Sequence, residues 1–169
     1  MSEPTSIEPE ATPRAASEWR IRAASGDEVA AVAAAAAELL VELGGKCPAA
    51  PELEAEVRAL LDDPAAGAVL VAEAGGVIVG MLAASWQRAI HVPGRYGTIQ
   101  DLWVDRAWRS RKIGAELIAA LAELAREQGV ARLEVGLPRE SFAAIRATEA
   151  FYLGNEFEPL GPRMRRLLP

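Results

Sequence analysis

Two apolar, β-rich runs, AVLVAEA and VIVGMLAASWQRA, stand on either side of Gly75 and Gly76. Glycine reaches the positive-φ conformations that a two-residue hairpin turn demands, so the pair predicts two antiparallel strands joined by a tight turn. A further run, YGTIQDLWVD at 96–105, reads as another strand. Strands of this kind need an apolar layer packed against them, and the rest of the chain offers helices for it.

WRIRAA at 19–24 alternates like an edge strand with Ile21 facing in. Ser25 then caps a helix whose first turn carries Asp27 and Glu28, where the helix dipole favours anions, and Gly44-Gly45 stops it. Pro51 opens a second helix with Leu53, Val57, Leu60 and Leu61 at helical spacing. Beyond residue 105 the sequence predicts a helix from about Gly114 to Gln128, a strand at ARLEVGL, a helix at ESFAAIRATEAFYL, and one or two terminal strands at EFEPLGPRMRRLL. The order is β-α-α-β-β-β-α-β-α-β(-β), an α/β (α+β) arrangement with a mixed sheet and helices on its faces. With no internal repeat or second linker, residues 19–169 form one expected domain, and the polar, acidic stretch 1–18 is an expected disordered tail.

Bulk properties narrow the partners. A net charge of −6 and a pI near 5.0 argue against a dedicated nucleic-acid or anionic-membrane binder. The longest apolar stretch, 29–41, is interrupted by Glu38 and falls short of the ~20 residues a membrane span needs. A single cysteine, Cys47, allows no intrachain disulfide, and with no export signal at the start the expected location is cytoplasmic. No metal is expected, because ligands at recognisable spacing are absent.

Against that acidic background, WRSRKIGAELI gathers Arg109, Arg111 and Lys112 just where a strand gives way to a helix. A helix N-terminus offers unbonded N–H groups and a positive dipole end, a natural seat for phosphate, and Gly114 would allow close approach of the backbone. A strand-to-helix turn with solvated basic side chains is the other reading of the same residues. Neither a P-loop nor the dinucleotide fingerprint fits the glycine pattern.

DLWVDRAWRSRKIGAELI resembles the signature of the GNAT superfamily of acetyl-coenzyme A-dependent N-acyltransferases. In that signature a strand ends in a hydrophobic residue, here Val104, and Arg/Gln-x-x-Gly-x-Gly/Ala follows, here Arg109 to Gly114 with Lys112 at the middle glycine. EAFYLGNEFEPLG resembles the family's late FYxxxGF block, with Phe151-Tyr152 followed by Phe157 and with Glu156 at the usual glycine. The resemblance implies a mostly antiparallel sheet of six to seven strands with helices on both faces. It implies acetyl-CoA as co-substrate, its diphosphate held by Arg109, Ser110, Arg111, Lys112, Ile113, Gly114 and Ala115, and its pantetheine arm paired along Leu102, Trp103 and Val104. A backbone N–H at Leu102 would serve the thioester oxygen as negative charge develops on it.

Tyr152 matches the family's usual general acid for the leaving thiolate; otherwise it is a tyrosine half-buried at a helix end. Several family branches place a glutamate on the strand before the signature as base, where this chain has Thr98, Ile99, Gln100 and Asp101. Asp101 can accept a proton, directly or through water, or it can simply pair with a cation or cap a loop. Glu134 and His91 are weaker alternatives. Trp86, Trp103, Tyr96 and Trp108 could wall a pocket, with core the expected place for at least two. Glu42, Glu52, Glu54 and Glu56 could attract a cationic amine or be a solvated helix face.

The expected activity is N-acetyl transfer to a small-molecule primary amine: an aminoglycoside-like compound, an amino acid or a polyamine. A protein or peptide acceptor and a non-catalytic acyl-CoA-binding regulatory domain are the alternatives. Neither nucleic acid nor membrane is an expected partner, and a homodimer through an exposed strand edge is compatible with the sequence.

Overall fold

The computed structural model describes residues 18–166; residues 1–17 of the expected tail, and 167–169, lie outside the described residues. Gly75 and Gly76 both take positive φ, 57° and 83°, and turn β2 (Gly67–Ala74) back on β3 (Val77–Ala89). A second tight turn, with Ala89 opposite Val92, leads from β3 into β4 (Val92–Val104), which therefore starts before Tyr96. β1 (Arg20–Ala23) lies antiparallel to β2, and β5 (Val130–Val135) lies parallel to β4, giving the order β1-β2-β3-β4-β5.

The sheet has five strands, one or two fewer than expected. Residues 157–166, read from the sequence as terminal strands, have no regular structure. Pro159 and Pro162 donate no backbone hydrogen bond and Gly161 between them takes φ 116°, so a continuous ladder cannot form there. The helices are α1 (Val29–Glu42), α2 (Ala50–Asp62), α3 (Ile113–Glu127) and α4 (Ile145–Leu153). α4 starts later than expected, because 139–144 is spent on turns, with Phe142 N–H bonded to Arg139 C=O and Ile145 N–H to Phe142 C=O.

Both faces of the sheet are covered, as strand alternation requires. On one face, Ile113, Leu117 and Leu121 of α3 pack on Leu70, Leu82 and Ile99, with Tyr152 of α4 in the same cluster. On the other, Val32 of α1 and Val57 of α2 pack on Val71, Met81, Ala83 and Trp103. Trp86 and Trp103 are core residues, one in each cluster. Among the described residues no helix is long and apolar enough to cross a membrane, and no group of three or more His, Cys, Asp or Glu could hold a metal ion.

Glu28 ties the first strand to the first helix. Its carboxylate accepts from both terminal nitrogens of Arg22 at 2.8 and 2.6 Å, and from the Ser25 N–H at 2.8 Å. The Arg22 hydrogen bonds hold its pKa down at about 2, against an ordinary 4.5. A depressed folded-state pKa contributes stability above the unfolded value and loses it as pH falls through the folded one. Glu28→Gln is therefore expected to cost about 1–2 kcal/mol at neutral pH, a few degrees of melting temperature. The gap to the parent protein should narrow below pH 4.5 and close near pH 2, which thermal melts across that range would read.

Candidate active site

β4 pairs with β5 only between Arg95 and Ile99, the last matched pair being Ile99 and Val135. β5 ends there, and Gly136 and Pro138 follow, neither of them suited to extending a strand. β4 runs on to Val104 bonded to β3 alone, so residues 100–104 present an open edge among the described residues. The pairing of Ala84 with Ile99 and Ala83 with Asp101 leaves Gln100 as an extra residue, a bulge that bends β4 where the strands part.

At the end of this edge the Asp105 N–H bonds to Val79 on β3 at 3.0 Å. The carbonyl of the same trans peptide, that of Val104, therefore faces the opposite way, toward the gap. There it accepts from Arg109 Nε at 2.9 Å. The guanidinium also grips Glu42, at the end of α1, through two bonds of 2.9 and 2.7 Å. Hydrogen bonding from Arg109 pulls the Glu42 pKa below the ordinary carboxylate value, and Glu42 raises that of Arg109. Arg111 pairs with Glu18 at 2.7 Å and lies over the Trp108 ring at 4.8 Å. Trp108 in turn meets Trp19 edge-on, and Trp19 donates to Glu116 of α3.

Arg109 and Arg111 thus bolt the turn to β4, to α1 and to Glu18 ahead of β1. Its backbone is strained: Ser110 (φ 63°) and Lys112 (φ 71°) are both left-handed, a conformation that costs a side chain-bearing residue roughly 1 kcal/mol or more. Successive N–H groups in such turns form concavities suited to anions, and the N–H groups of Ile113, Gly114 and Ala115 open α3 beside it. Gly114 also has a packing role. A Cβ there would meet the Phe151 ring at 3.1 Å, so the missing side chain lets α4 pack against α3.

Tyr152 is 8% exposed and is wedged edge-on between Phe151 and Phe157. Burial, with the nearby charge of Asp101 adding to it, raises its pKa to about 12. Burial also raises the Asp101 carboxyl above its ordinary value. The fold thus brings two residues that the sequence separates by 51 positions within electrostatic range of each other, Asp101 on the α1 and α2 side of the sheet and Tyr152 in the cluster under α3. Glu134 is engaged by Arg132, and His91 sits in the exposed turn between β3 and β4.

On the other side of Trp103, a cleft of about 560 Å³ lies between the sheet and the end of α1, lined by Glu38, Glu42, Arg106 and Arg109. A feature that sequence reasoning missed is a chain of neutral polar groups on β3 and β4. Gln87 Nε2 donates to Ser85 Oγ and Thr98 Oγ1, Tyr96 OH donates to Gln87 Oε1, and Gln100 Nε2 donates to Ser85 Oγ. Polar residues at period two on neighbouring strands were its only trace in the sequence. The Arg109–Glu42 pair spans 67 positions and left no trace at all.

Residues 32–151 match the acetyltransferase (GNAT) family. The chain belongs to that family. Solved structures agree on the fold. A protein from Arthrobacter sp. FB24 is 25% identical with TM-score 0.73, over 99% of this chain and 100% of that one. A possible acetyltransferase from Clostridium difficile 630 is 20% identical with TM-score 0.76, over 89% and 97%. An aminoglycoside acetyltransferase from an uncultured soil metagenomic sample, in complex with sisomicin, is 20% identical with TM-score 0.68, over 90% and 97%. No curated protein matches the sequence. As a GNAT-family chain, the protein is an acetyltransferase of a family that draws on acetyl-CoA.

In this family member Lys112 holds a left-handed position that glycine would occupy without strain. Lys112→Gly is expected to stabilise the protein by about 0.5–1 kcal/mol, roughly 2 °C in melting temperature by differential scanning fluorimetry. A lower melting temperature would mean that the lysine side chain contributes contacts outweighing the strain.

Proposed function

We propose that the protein transfers an acetyl group directly from acetyl-CoA to the primary amine of a small molecule. The observation that carries this reading is the unpaired edge of β4 over residues 100–104, ending at the strained turn that opens α3. Leu102, together with the N–H of Val104, gives that edge free backbone groups for a pantetheine arm, and the Leu102 N–H would bond the thioester oxygen. The strained turn of Ser110, Arg111 and Lys112, with the N–H groups of Ile113, Gly114 and Ala115, would seat the diphosphate. Arg109 serves this seat indirectly, by fixing the turn to β4 and α1.

A phenol with a pKa of about 12 stays protonated across the physiological range, as a donor to a departing thiolate must. A carboxylate in a desolvated position is a stronger base than one in water, which suits Asp101 to take a proton from the ammonium of the acceptor. The small-molecule assignment draws on the cleft of about 560 Å³ between α1 and Trp103, and on the sisomicin-bound neighbour of the same fold.

Tyr152→Phe is expected to lower turnover at least about tenfold, the low end for a lost general acid, while calorimetry finds acetyl-CoA affinity nearly unchanged. An unaltered turnover number removes Tyr152 from the mechanism. Asp101→Asn separates two effects. Because the folded-state pKa of Asp101 is raised, its charge costs stability as pH climbs above the ordinary 3.8. The variant should therefore melt higher than the parent at neutral pH and equally below pH 3.8, while losing the ascending limb of the pH–rate profile. A rate profile identical to the parent's eliminates Asp101 as base.

A further inference from the structure

We infer that the acceptor amine carries a hydroxyl group close to its nitrogen, recognised by Ser85 and Gln100; this rests on the acetyltransferase reading above. Met81 and Ala83 belong to the cluster under α1 and α2, so Ser85 and Gln87, further along β3, lie on the same face. Asp101 stands opposite Ala83, one step along that face from Ser85. The bulge at Gln100 brings Thr98 and Tyr96 onto the same side, as their bonds to Gln87 record.

The apolar cover ends at Ala83 and Trp103. Beyond it the face follows neither ordinary pattern. A covered sheet face is apolar, and one left to solvent is usually charged. Here β3 and β4 hold neutral hydroxyls and amides bonded to one another, flanked on β5 by the Arg132–Glu134 pair, with Arg132 over the Tyr96 ring at 5.9 Å, and Thr98 is only 2% exposed. Neutral groups held in fixed orientations one step from a proposed base are suited to telling polar small molecules apart.

The bonding pattern states what is left to offer. Ser85 Oγ receives N–H groups from both Gln87 and Gln100. A hydroxyl has one proton to donate, and with both lone pairs taken that proton is the remaining capacity of Ser85. Gln100 is exposed, and its Oε1 accepts no hydrogen bond from the described residues. One donor and one acceptor side by side match a hydroxyl, which does both. A carboxylate only accepts, and an alkyl chain does neither. Asp101, adjacent, favours the ammonium and disfavours an anionic group at the same place.

The test compares cyclohexylamine, trans-2-aminocyclohexanol, 2-deoxystreptamine and spermidine as acceptors, with thiol release from acetyl-CoA as the readout. The amino alcohol is expected to exceed cyclohexylamine in kcat/KM about tenfold, the effect of a well-made hydrogen-bonded pair, with 2-deoxystreptamine above both and spermidine near cyclohexylamine. Ser85→Ala and Gln100→Leu should each cut the ratio between amino alcohol and cyclohexylamine about fivefold, the loss appearing in KM. Gln100 is exposed, so its variant keeps the test open if the Ser85 variant folds poorly. Equal kcat/KM for the two cyclohexyl amines, a preference for spermidine, or variants that slow both amines alike would overturn the inference and reduce the network to strand registration. Heat of acetyl-CoA binding with no amine acetylated also overturns it, while leaving the coenzyme site standing. Absence of that heat would sink the acetyltransferase reading and this inference together.

Discussion

The parting of β4 from β5 after Ile99 is the constraint on which the rest of the molecule depends. A closed ladder would satisfy every backbone group of β4 internally and leave nothing for a ligand to pair with. Here β5 stops at Val135, before a glycine and a proline, while β4 continues to Val104. The extra residue at Gln100 bends the longer strand at the same level. One topological decision therefore creates an open backbone edge, a gap beside Asp101, and a place for the turn that opens α3.

That turn shows how an acidic protein uses a local cluster of cations. Arg109 links the end of β4 to the end of α1, and Arg111 lies between Glu18 and Trp108. Their charges are partnered, so they act mainly as fasteners, while the backbone N–H groups are what the turn presents. Such fastening is needed because Ser110 and Lys112 occupy left-handed backbone positions, which persist only where surrounding structure over-determines them.

Asp101 shows the opposite economy. Its carboxyl is desolvated and its pKa is raised with no cation offsetting the burial. A buried charge left without a partner costs stability, and sites that accept this cost are commonly those where chemistry requires a stronger base. Tyr152, packed between two aromatic rings, is held by apolar contacts alone, so its hydroxyl is not spent on an internal hydrogen bond among the described residues.

Periodicity and glycine chemistry alone located the Gly75-Gly76 hairpin, the α1 and α2 helices, the strand ending at Val104 and the helix that follows, because each depends on neighbours a few residues apart. The same local evidence over-read 157–166 as strand, since an alternating pattern cannot reveal whether a partner ladder exists. Motif spacing marked Tyr152, Asp101 and the turn from Arg109 to Ala115. It could not reveal that Arg109 reaches Glu42, that Gly114 makes room for Phe151, or that Ser85 and Gln100 share a hydrogen bond. Those contacts join residues far apart in the chain, and only the packing of helices on a parted sheet decides which distant side chains meet.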